Sequence, residues 1–175
     1  MLPIYERVAL ENIKPYVDDY NEHLVGVSRD GEVLFHQEGE HSEVIPRDTH
    51  LFKNTYIIHN HPVDENALGR GLSTDDIRTA KLFGCLGIGS VTRYNNNIEY
   101  YKAIFADTTP KLIDVTPFIL AGMATRIYAL MLTKDMKQLY IHYNDYITNL
   151  SVLYNFSYEY FKLNGTHLIK GEFEW

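Results

Sequence analysis

Cysteine is almost absent from this chain, which has a single one, Cys85, among its 175 residues. No disulfide can therefore form within the chain, a pattern that fits a reducing compartment. The segment from Met1 to Arg7 lacks the basic start and apolar core of a signal peptide. No apolar run reaches the ~18 residues that a membrane-spanning helix needs. These absences predict a cytoplasmic protein without a membrane segment.

Positive charge is also scarce, since 16 lysines and arginines stand against 23 aspartates and glutamates and the net charge is −7. A nucleic-acid partner held by general electrostatic attraction is therefore disfavoured. The chain is long enough for one domain, and its hydrophobic fraction of 45% is ordinary for a globular protein. Its fourteen tyrosines predict wide amphipathic faces of the kind that suit contacts with a partner.

Hydrophobic patterns and turn residues predict an α/β fold, in which a mixed β-sheet is flanked by helices. Helices are expected over 12–22 and 74–83, and Gly84 is well placed to cap the second. Asp30-Gly31 predicts a hairpin turn between the first two strands, and Tyr94-Asn95-Asn96-Asn97 predicts another before the strand over 98–105. Strands are expected over 24–27, 32–35, 56–61, 86–91 and 98–105. These elements would form a core over residues 1–110.

The last part of the chain, residues 111–175, has a helical pattern. Thr116-Pro117 is a favourable helix start, and the apolar residues that follow reach Met131. A second helix is expected from Asp135 to Asn164-Gly165, followed by a strand over 168–175. We predict a C-terminal helical hairpin that packs on the core within one compact domain. It is either a cover for the sheet or a Tyr-rich docking surface, for a substrate or for a second copy in a homodimer.

Two histidines stand at the end of the central predicted strand, in Ile57-Ile58-His59-Asn60-His61-Pro62. Side chains two residues apart on a strand point to the same face, so His59 and His61 lie side by side. Ser73-Thr74-Asp75-Asp76 has the pattern of a first helical turn. Two imidazoles and the Asp76 carboxylate could hold one divalent metal and leave a fourth position open, as in catalytic zinc sites.

Other interpretations of these residues stay open. Ser73 and Asp76 alone are typical of a helix capping box. The histidine pair alone is a weak signal in a chain with eight histidines. Asp64 or Glu65 is an alternative carboxylate ligand if the loop folds back, and Asp75 is another. The metal site is favoured because the strand, the two histidines and the helix start occur together.

The order His-x-His-Pro, loop, Ser-x-x-Asp resembles the zinc signature of the JAB/MPN (JAMM-motif) metalloprotease family. The form His-Asn-His-Pro is most similar to its RadC-like and phage-type branches. The resemblance covers residues 20–105 and implies a JAB/MPN-like (cytidine deaminase-like) fold. It implies a Zn²⁺ ion held by His59, His61 and Asp76. It further implies that the Ser73 hydroxyl stabilises the oxyanion and that an upstream glutamate is the base for the attacking water.

Five glutamates precede the histidine pair and are candidates for this base. Glu22 is favoured because it lies just before the first predicted strand, where the family has its glutamate. It would take the proton of the attacking water and pass it to the leaving amine. The other candidates are Glu32, Glu38, Glu40 and Glu43.

The resemblance implies a zinc-dependent metallopeptidase or isopeptidase that acts on a protein or peptide, ubiquitin-like conjugates included. The alternative is a zinc-binding JAB-like scaffold, or protein-interaction module, without peptidase activity. A third possibility is a metal-dependent nuclease or amidohydrolase. An amidohydrolase barrel needs roughly 250 residues, however, and this chain is too short for one.

Three neighbouring features complete the predictions. Ten residues separate Pro62 from Ser73, and Gly69-Arg70-Gly71 predicts that this loop is mobile. His23 is expected at the surface or just behind the metal ligands. Cys85 is expected to be a core thiol, because no basic group stands near it in the sequence to activate it.

Overall fold

The computed structural model describes residues 2–41, 43–44, 47–62, 70–110, 136–164 and 167–171. Over these ranges the chain forms a seven-stranded mixed sheet with three α-helices, which confirms the predicted mixed α/β class. The helices are α1 Ile4–Ile13, α2 Thr74–Leu82 and α3 Met136–Tyr154, and 3-10 turns occupy Lys14–Tyr16 and Thr49–Phe52. The strands are β1 His23–Ser28, β2 Val33–Glu38, β3 Thr55–Asn60, β4 Gly87–Tyr94, β5 Asn97–Phe105, β6 Phe156–Asn164 and β7 His167–Lys170. None of the described helices is long and apolar enough to cross a membrane.

The strand order is β2-β1-β3-β4-β5-β6-β7. Only the central pair, β3 and β4, is parallel, and every other neighbouring pair is antiparallel. Parallel neighbours need a crossover connection, which here contains α2. The start of α2 therefore lies at the same edge of the sheet as the carboxyl end of β3, where the histidine pair stands.

Each face of the sheet buries its own hydrophobic cluster, because side chains alternate along a strand. On one face α1 packs against β1 and β3. The cluster there includes Ala9, Ile13, Val25, Ile58 and Tyr100. On the opposite face α2 and α3 supply the cover. The cluster there includes Leu24, Ile57, Ile77, Ile88, Tyr101 and Ile147. His59 shares this second face with Ile57, two residues before it.

The expected turns and helix caps form where the sequence predicts them. Gly31 in the β1–β2 hairpin has φ 92°, a conformation that glycine adopts without strain. Gly84 has φ 77° just after α2, as expected of the residue that ends a helix. The β4–β5 hairpin turns at Asn95 and Asn96, which also have positive φ.

The helix predicted over 12–22 is wrong. The helix that forms is α1, which ends at Ile13, and the chain continues in a 3-10 turn that contains Pro15. Proline has no N–H to donate and clashes with the preceding turn, so α1 cannot continue through it. Glu22 consequently lies in extended backbone and not at a helix end. Its N–H donates to the Glu40 carbonyl, and its carbonyl accepts from the Gly39 N–H.

The second helix of the predicted hairpin is shorter than expected. It ends at Tyr154, Asn155 follows with φ 54°, and residues 156–164 form β6 along the edge of β5. Tyrosine and phenylalanine at alternate positions favour a strand, and β5 offers an unpaired edge to receive it. The predicted final strand overlaps β7, which ends at Lys170.

The first predicted helix of the hairpin, with its start at Thr116-Pro117, lies outside the described residues. The division of the chain at residue 110 stays a prediction. What the structure adds is that β6 and β7 extend the same sheet as the strands before residue 110. The homodimer through the C-terminal helices also stays a prediction.

Candidate metal centre

The two histidines lie side by side because the strand geometry of β3 continues past its last residue. The His61 N–H donates to the Val91 carbonyl at 2.8 Å, as a further rung of the β3–β4 ladder would. The imidazoles of His59 and His61 meet with their Nε2 atoms 2.7 Å apart. His59 is buried and His61 is half-buried.

Asp76, in the first turn of α2, completes the group. Its Oδ2 lies 3.7 Å from His59 Nε2. One ligand atom from each of His59, His61 and Asp76 lies within 4.8 Å of the other two. Within the part of the chain that the structure describes, this is the one cluster of at least three residues with metal-ligand atoms so close together.

The capping box that competed with the metal site in the sequence is also present. The Asp76 N–H donates to Ser73 Oγ at 3.0 Å, and the Ser73 N–H donates to Asp76 Oδ2 at 2.7 Å. The two interpretations are therefore compatible, because the capping box orients the Asp76 carboxylate beside the histidines. From α3, the Tyr143 hydroxyl accepts the Thr74 N–H at 3.1 Å and holds the start of α2 in place.

The arrangement fits a tetrahedral zinc ion. Ligands about 2.0–2.1 Å from such an ion lie roughly 3.3 Å from one another. The distances of 2.7 Å between the two Nε2 atoms and 3.7 Å between His59 Nε2 and Asp76 Oδ2 lie on either side of that value. Small side-chain rotations would therefore admit the ion. Two imidazoles and one carboxylate are also a donor set that catalytic zinc sites use.

The electrostatics favour the protonation states that a metal requires. Burial lowers the pKa of His59 to about 4, so its imidazole is neutral at physiological pH. Burial of the Asp76 carboxyl opposes its ionisation. The neighbouring imidazoles and the hydrogen bonds from Ser73 outweigh that effect and lower the pKa of Asp76. Neutral imidazole and ionised carboxylate are the forms that bind a metal ion.

Glu22 lies in the same cavity as the three ligands. Burial, followed by the charges of Asp76 and Glu43, raises its pKa to about 8. Of the other glutamates considered as the base, Glu43 also lines the cavity but is exposed. The remaining three are exposed and do not line it: Glu32, Glu38 and Glu40.

Asn60, between the two histidines, is a site residue that the sequence interpretation missed. It is fully buried, its Oδ1 accepts the His23 N–H at 2.6 Å, and its Nδ2 donates to the Asn21 carbonyl at 3.1 Å. These two bonds hold the backbone on either side of Glu22. The available signal was a polar residue in a buried strand, since such a residue needs internal hydrogen-bond partners.

His23 is not at the surface but buried, with 4% of its area exposed. Its ring stacks on Tyr16 with 4.2 Å between ring centroids, and its Nδ1 lies 3.0 Å from His36 Nε2. His36 itself is exposed. The His23 side chain thus packs between the 3-10 turn that follows α1 and strand β2.

The loop before α2 ends in a firmly held segment. Arg70 is buried and forms two hydrogen bonds with the Glu99 carboxylate, at 2.9 and 2.8 Å. Its guanidinium lies between the rings of Tyr94 and Tyr140, 3.6 and 4.0 Å from their centroids. The carbonyl of the next residue, Gly71, accepts from Ser90 Oγ. The expected mobility therefore does not extend to Arg70 and Gly71, while residues 63–69 lie outside the described part.

The cavity around the metal ligands has a volume of about 730 Å³, within the range of small-molecule sites. Polar groups from three elements meet at one end, namely the histidines of β3, the first turn of α2, and Glu22 before β1. Tyr143 of α3 lies beside them.

Comparison of this chain with protein-family models, curated proteins and solved structures gives no match.

Proposed function

We propose that this protein is a zinc-dependent amide hydrolase of the JAMM type, which cleaves a peptide or isopeptide bond with water. One observation carries the proposal. The ligand atoms of His59, His61 and Asp76 converge to within 4.8 Å of one another in a cavity that Glu22 also lines. The resemblance of the His-x-His-Pro and Ser-x-x-Asp pattern to the JAB/MPN family supports the same function.

The chain supplies three ligands, which leaves a fourth coordination position for water or substrate. A bound zinc ion would lower the pKa of water in that position towards ~7 and polarise the carbonyl of an amide. His59 and His61 would supply nitrogen ligands on one side of the position. Asp76 supplies the negative charge and is held by its hydrogen bond from Ser73.

Glu22 is the proton carrier of the proposed reaction. It accepts a proton from the attacking water and delivers it to the nitrogen of the leaving amine. Its pKa of about 8 in the metal-free protein means that the isolated carboxyl is largely protonated at neutral pH. A nearby cation favours the carboxylate and brings that pKa down towards neutrality, where the group both accepts and releases protons.

Ser73 stabilises the negative charge that develops on the substrate oxygen. Its Oγ accepts the Asp76 N–H, and its hydroxyl is the donor that would turn from the Asp76 carboxylate towards the substrate oxygen. Ser73 lines the cavity beside the metal ligands. A donor aimed at the developing oxyanion is the usual means of stabilising the tetrahedral transition state of acyl transfer.

Metal analysis of protein purified without added metal tests the site. Wild type is expected to hold about one zinc ion per chain, and a His59→Ala/His61→Ala double variant none. A His36→Ala/His50→Ala variant, which removes two exposed histidines that do not line the cavity, is the matched control and should retain zinc. Wild type without metal even after zinc is supplied would overturn the proposal.

Peptide and isopeptide substrates then test the chemistry. Glu22→Gln is expected to keep its zinc and lose turnover, because the amide cannot accept the proton. Zinc binding without hydrolysis, in wild type and Glu22→Gln alike, would instead favour a JAB-like scaffold.

A further inference from the structure

Part of the lining of the metal-centre cavity is apolar, and we call this part the recess. Its floor is formed by buried residues of β1, β3 and β4, with α2 on one side and the segment before β3 on the other. The residues that line this recess are Leu24, Val44, Phe52, Ile57, Ala80 and Ile88.

The recess begins one side chain away from the metal ligands. Leu24 is the direct partner of His59 across the β1–β3 pair, and Ile57 precedes His59 by two residues on the same face. Paired residues lie about 5 Å apart, and residues two apart along a strand lie about 6.7 Å apart. A side chain next to a carbonyl group at the metal position therefore reaches the recess.

The charges around the cavity select against an anionic occupant. Glu43 and Asp75 line it in addition to Glu22 and the Asp76 ligand. Among the described residues that line the cavity, Arg70 is the one lysine or arginine, and its guanidinium is paired with Glu99. An uncharged or cationic ligand with a large apolar group matches both the recess and its acidic surroundings.

We infer that this recess is the specificity pocket of the enzyme and takes a large apolar side chain, of the leucine, methionine or phenylalanine class, next to the scissile amide. The inference rests on the proposed function, since it names the substrate class of the same metal site. Burial of the apolar side chain supplies affinity, and the strand register sets its distance from the reacting carbonyl.

Hydroxamates, which bind zinc through their two oxygens, test the pocket without any substrate. Isothermal titration of the zinc-loaded protein would compare acetohydroxamate with 4-methylpentanohydroxamate, which carries a leucine-sized tail, and with the anionic monohydroxamate of succinate. The leucine-sized tail is expected to tighten binding roughly tenfold or more, because each buried methylene contributes favourably. The anionic tail is expected to bind no better than acetohydroxamate.

Two variants locate the effect in the recess. Ala80→Leu fills it, and should abolish the gain of the leucine-sized tail over acetohydroxamate. Val44→Asp places a charge in the half-buried wall and should reduce the same gain, which keeps the test decisive if Ala80→Leu does not fold. Val152→Asp, at a position 80% exposed on α3, is the matched control and should behave as wild type.

The outcomes separate the pocket from the metal site. Zinc bound at about one ion per chain, with equal affinity for the short and the leucine-sized hydroxamate, would overturn the pocket while leaving the metal centre intact. A gain that persists in both Ala80→Leu and Val44→Asp would also overturn it. A protein that takes up no zinc would overturn the proposed function, and the pocket's role with it.

Discussion

Two carboxylates on opposite faces of the sheet, Glu6 and Asp76, lie in different surroundings. On the α1 face, Glu6 is 1% exposed and accepts hydrogen bonds from Lys102 Nζ at 2.8 Å and the Tyr100 hydroxyl at 3.3 Å. On the α2 face, Asp76 lies beside the Nε2 atom of a neutral imidazole, His59, and opens onto a cavity. The first carboxylate has its cation within the protein, whereas the second belongs to a group that could hold a metal ion.

This contrast separates a structural polar network from a binding site. A buried charge is tolerated when a partner of opposite sign and hydrogen-bond donors compensate for its desolvation. Lys102 and Tyr100 provide both for Glu6. Around Asp76 the ligand atoms of His59 and His61 converge to within 4.8 Å, and a divalent cation is a ligand that such a group could hold.

Removal of the cation on the α1 face should produce the largest loss of stability. Lys102→Met leaves Glu6 buried without its positive partner, which is expected to lower the free energy of unfolding by about 3–5 kcal/mol. Zinc content should not change, because the α2 face is untouched. Urea denaturation measures the stability. The control is Lys170→Met, whose side chain is 66% exposed beside Glu159 and should cost at most about 1 kcal/mol. Equal losses in the two variants would contradict the structural role of the buried pair.

Removal of the carboxylate on the α2 face should instead change metal affinity. Asp76→Asn keeps the shape of the side chain but loses the ligand charge. It is expected to weaken zinc binding by roughly 100-fold or more, because outer-sphere partners alone contribute about 10–100-fold. Competition with a chromogenic chelator measures the affinity. Asp75→Asn, one position earlier on α2 with its side chain 87% exposed, should bind zinc as wild type does. Similar weakening in both variants would show that general charge, and not coordination, holds the metal.

The link between the histidine strand and Glu22 can be broken at Asn60. Asn60→Ala leaves the His23 N–H and the Asn21 carbonyl without their buried partner, at an expected cost of about 1–3 kcal/mol in the free energy of unfolding. Turnover should fall further than zinc content, since Glu22 is displaced while His59 and His61 remain. Asn12→Ala, at an exposed position on α1, should change stability by about 0.5 kcal/mol or less. Full turnover in Asn60→Ala would exclude a positioning role.

The remaining expected effect is a pH dependence of the metal-free protein. Burial raises the pKa of Glu22 from 4.5 to about 8, so the folded state binds this proton more tightly than the unfolded state. Stability from this group is therefore greatest at low pH and is lost as the pH rises from 4.5 towards 8. Glu22→Gln lacks this loss. The difference in melting temperature between the variant and wild type should therefore increase over the same pH range and stay constant above it. Thermal denaturation in the presence of a chelator measures the difference. A gap that is constant with pH would mean that Glu22 does not titrate in this way.

Local patterns predicted the parts of the site that depend on neighbouring residues. His59 and His61 point to the same face because side chains along a strand alternate with a period of two residues. The Ser73–Asp76 capping box follows from the geometry of one helical turn. The hairpin turns followed from Gly31 and the asparagines of the β4–β5 turn in the same way. Each of these features needs a few consecutive residues and little from the rest of the chain.

Contacts that depend on strand register or on tertiary pairing of single side chains could not be predicted. The bonds of Asn60 to the backbone on both sides of Glu22 depend on the register of β1 against β3. The ion pair of Arg70 with Glu99 joins residues 29 positions apart and holds the segment that leads into α2. Residues 156–164 carry an aromatic pattern compatible with either a helix or a strand, and pairing with β5 selects the strand.

The amino-acid sequence by itself determined where the main strands lie along the chain, that the two histidines stand side by side, and that the start of α2 is capped. These features arise from local backbone geometry. The tertiary structure alone decided that the histidines and Asp76 come within ligand distance of one another. It also decided that Glu22 shares their cavity and that an apolar recess adjoins them. The physical reason is the parallel β3–β4 pair, which requires a crossover connection. This crossover places the start of α2 beside the end of β3. The path of the loop between them cannot be predicted from local sequence patterns.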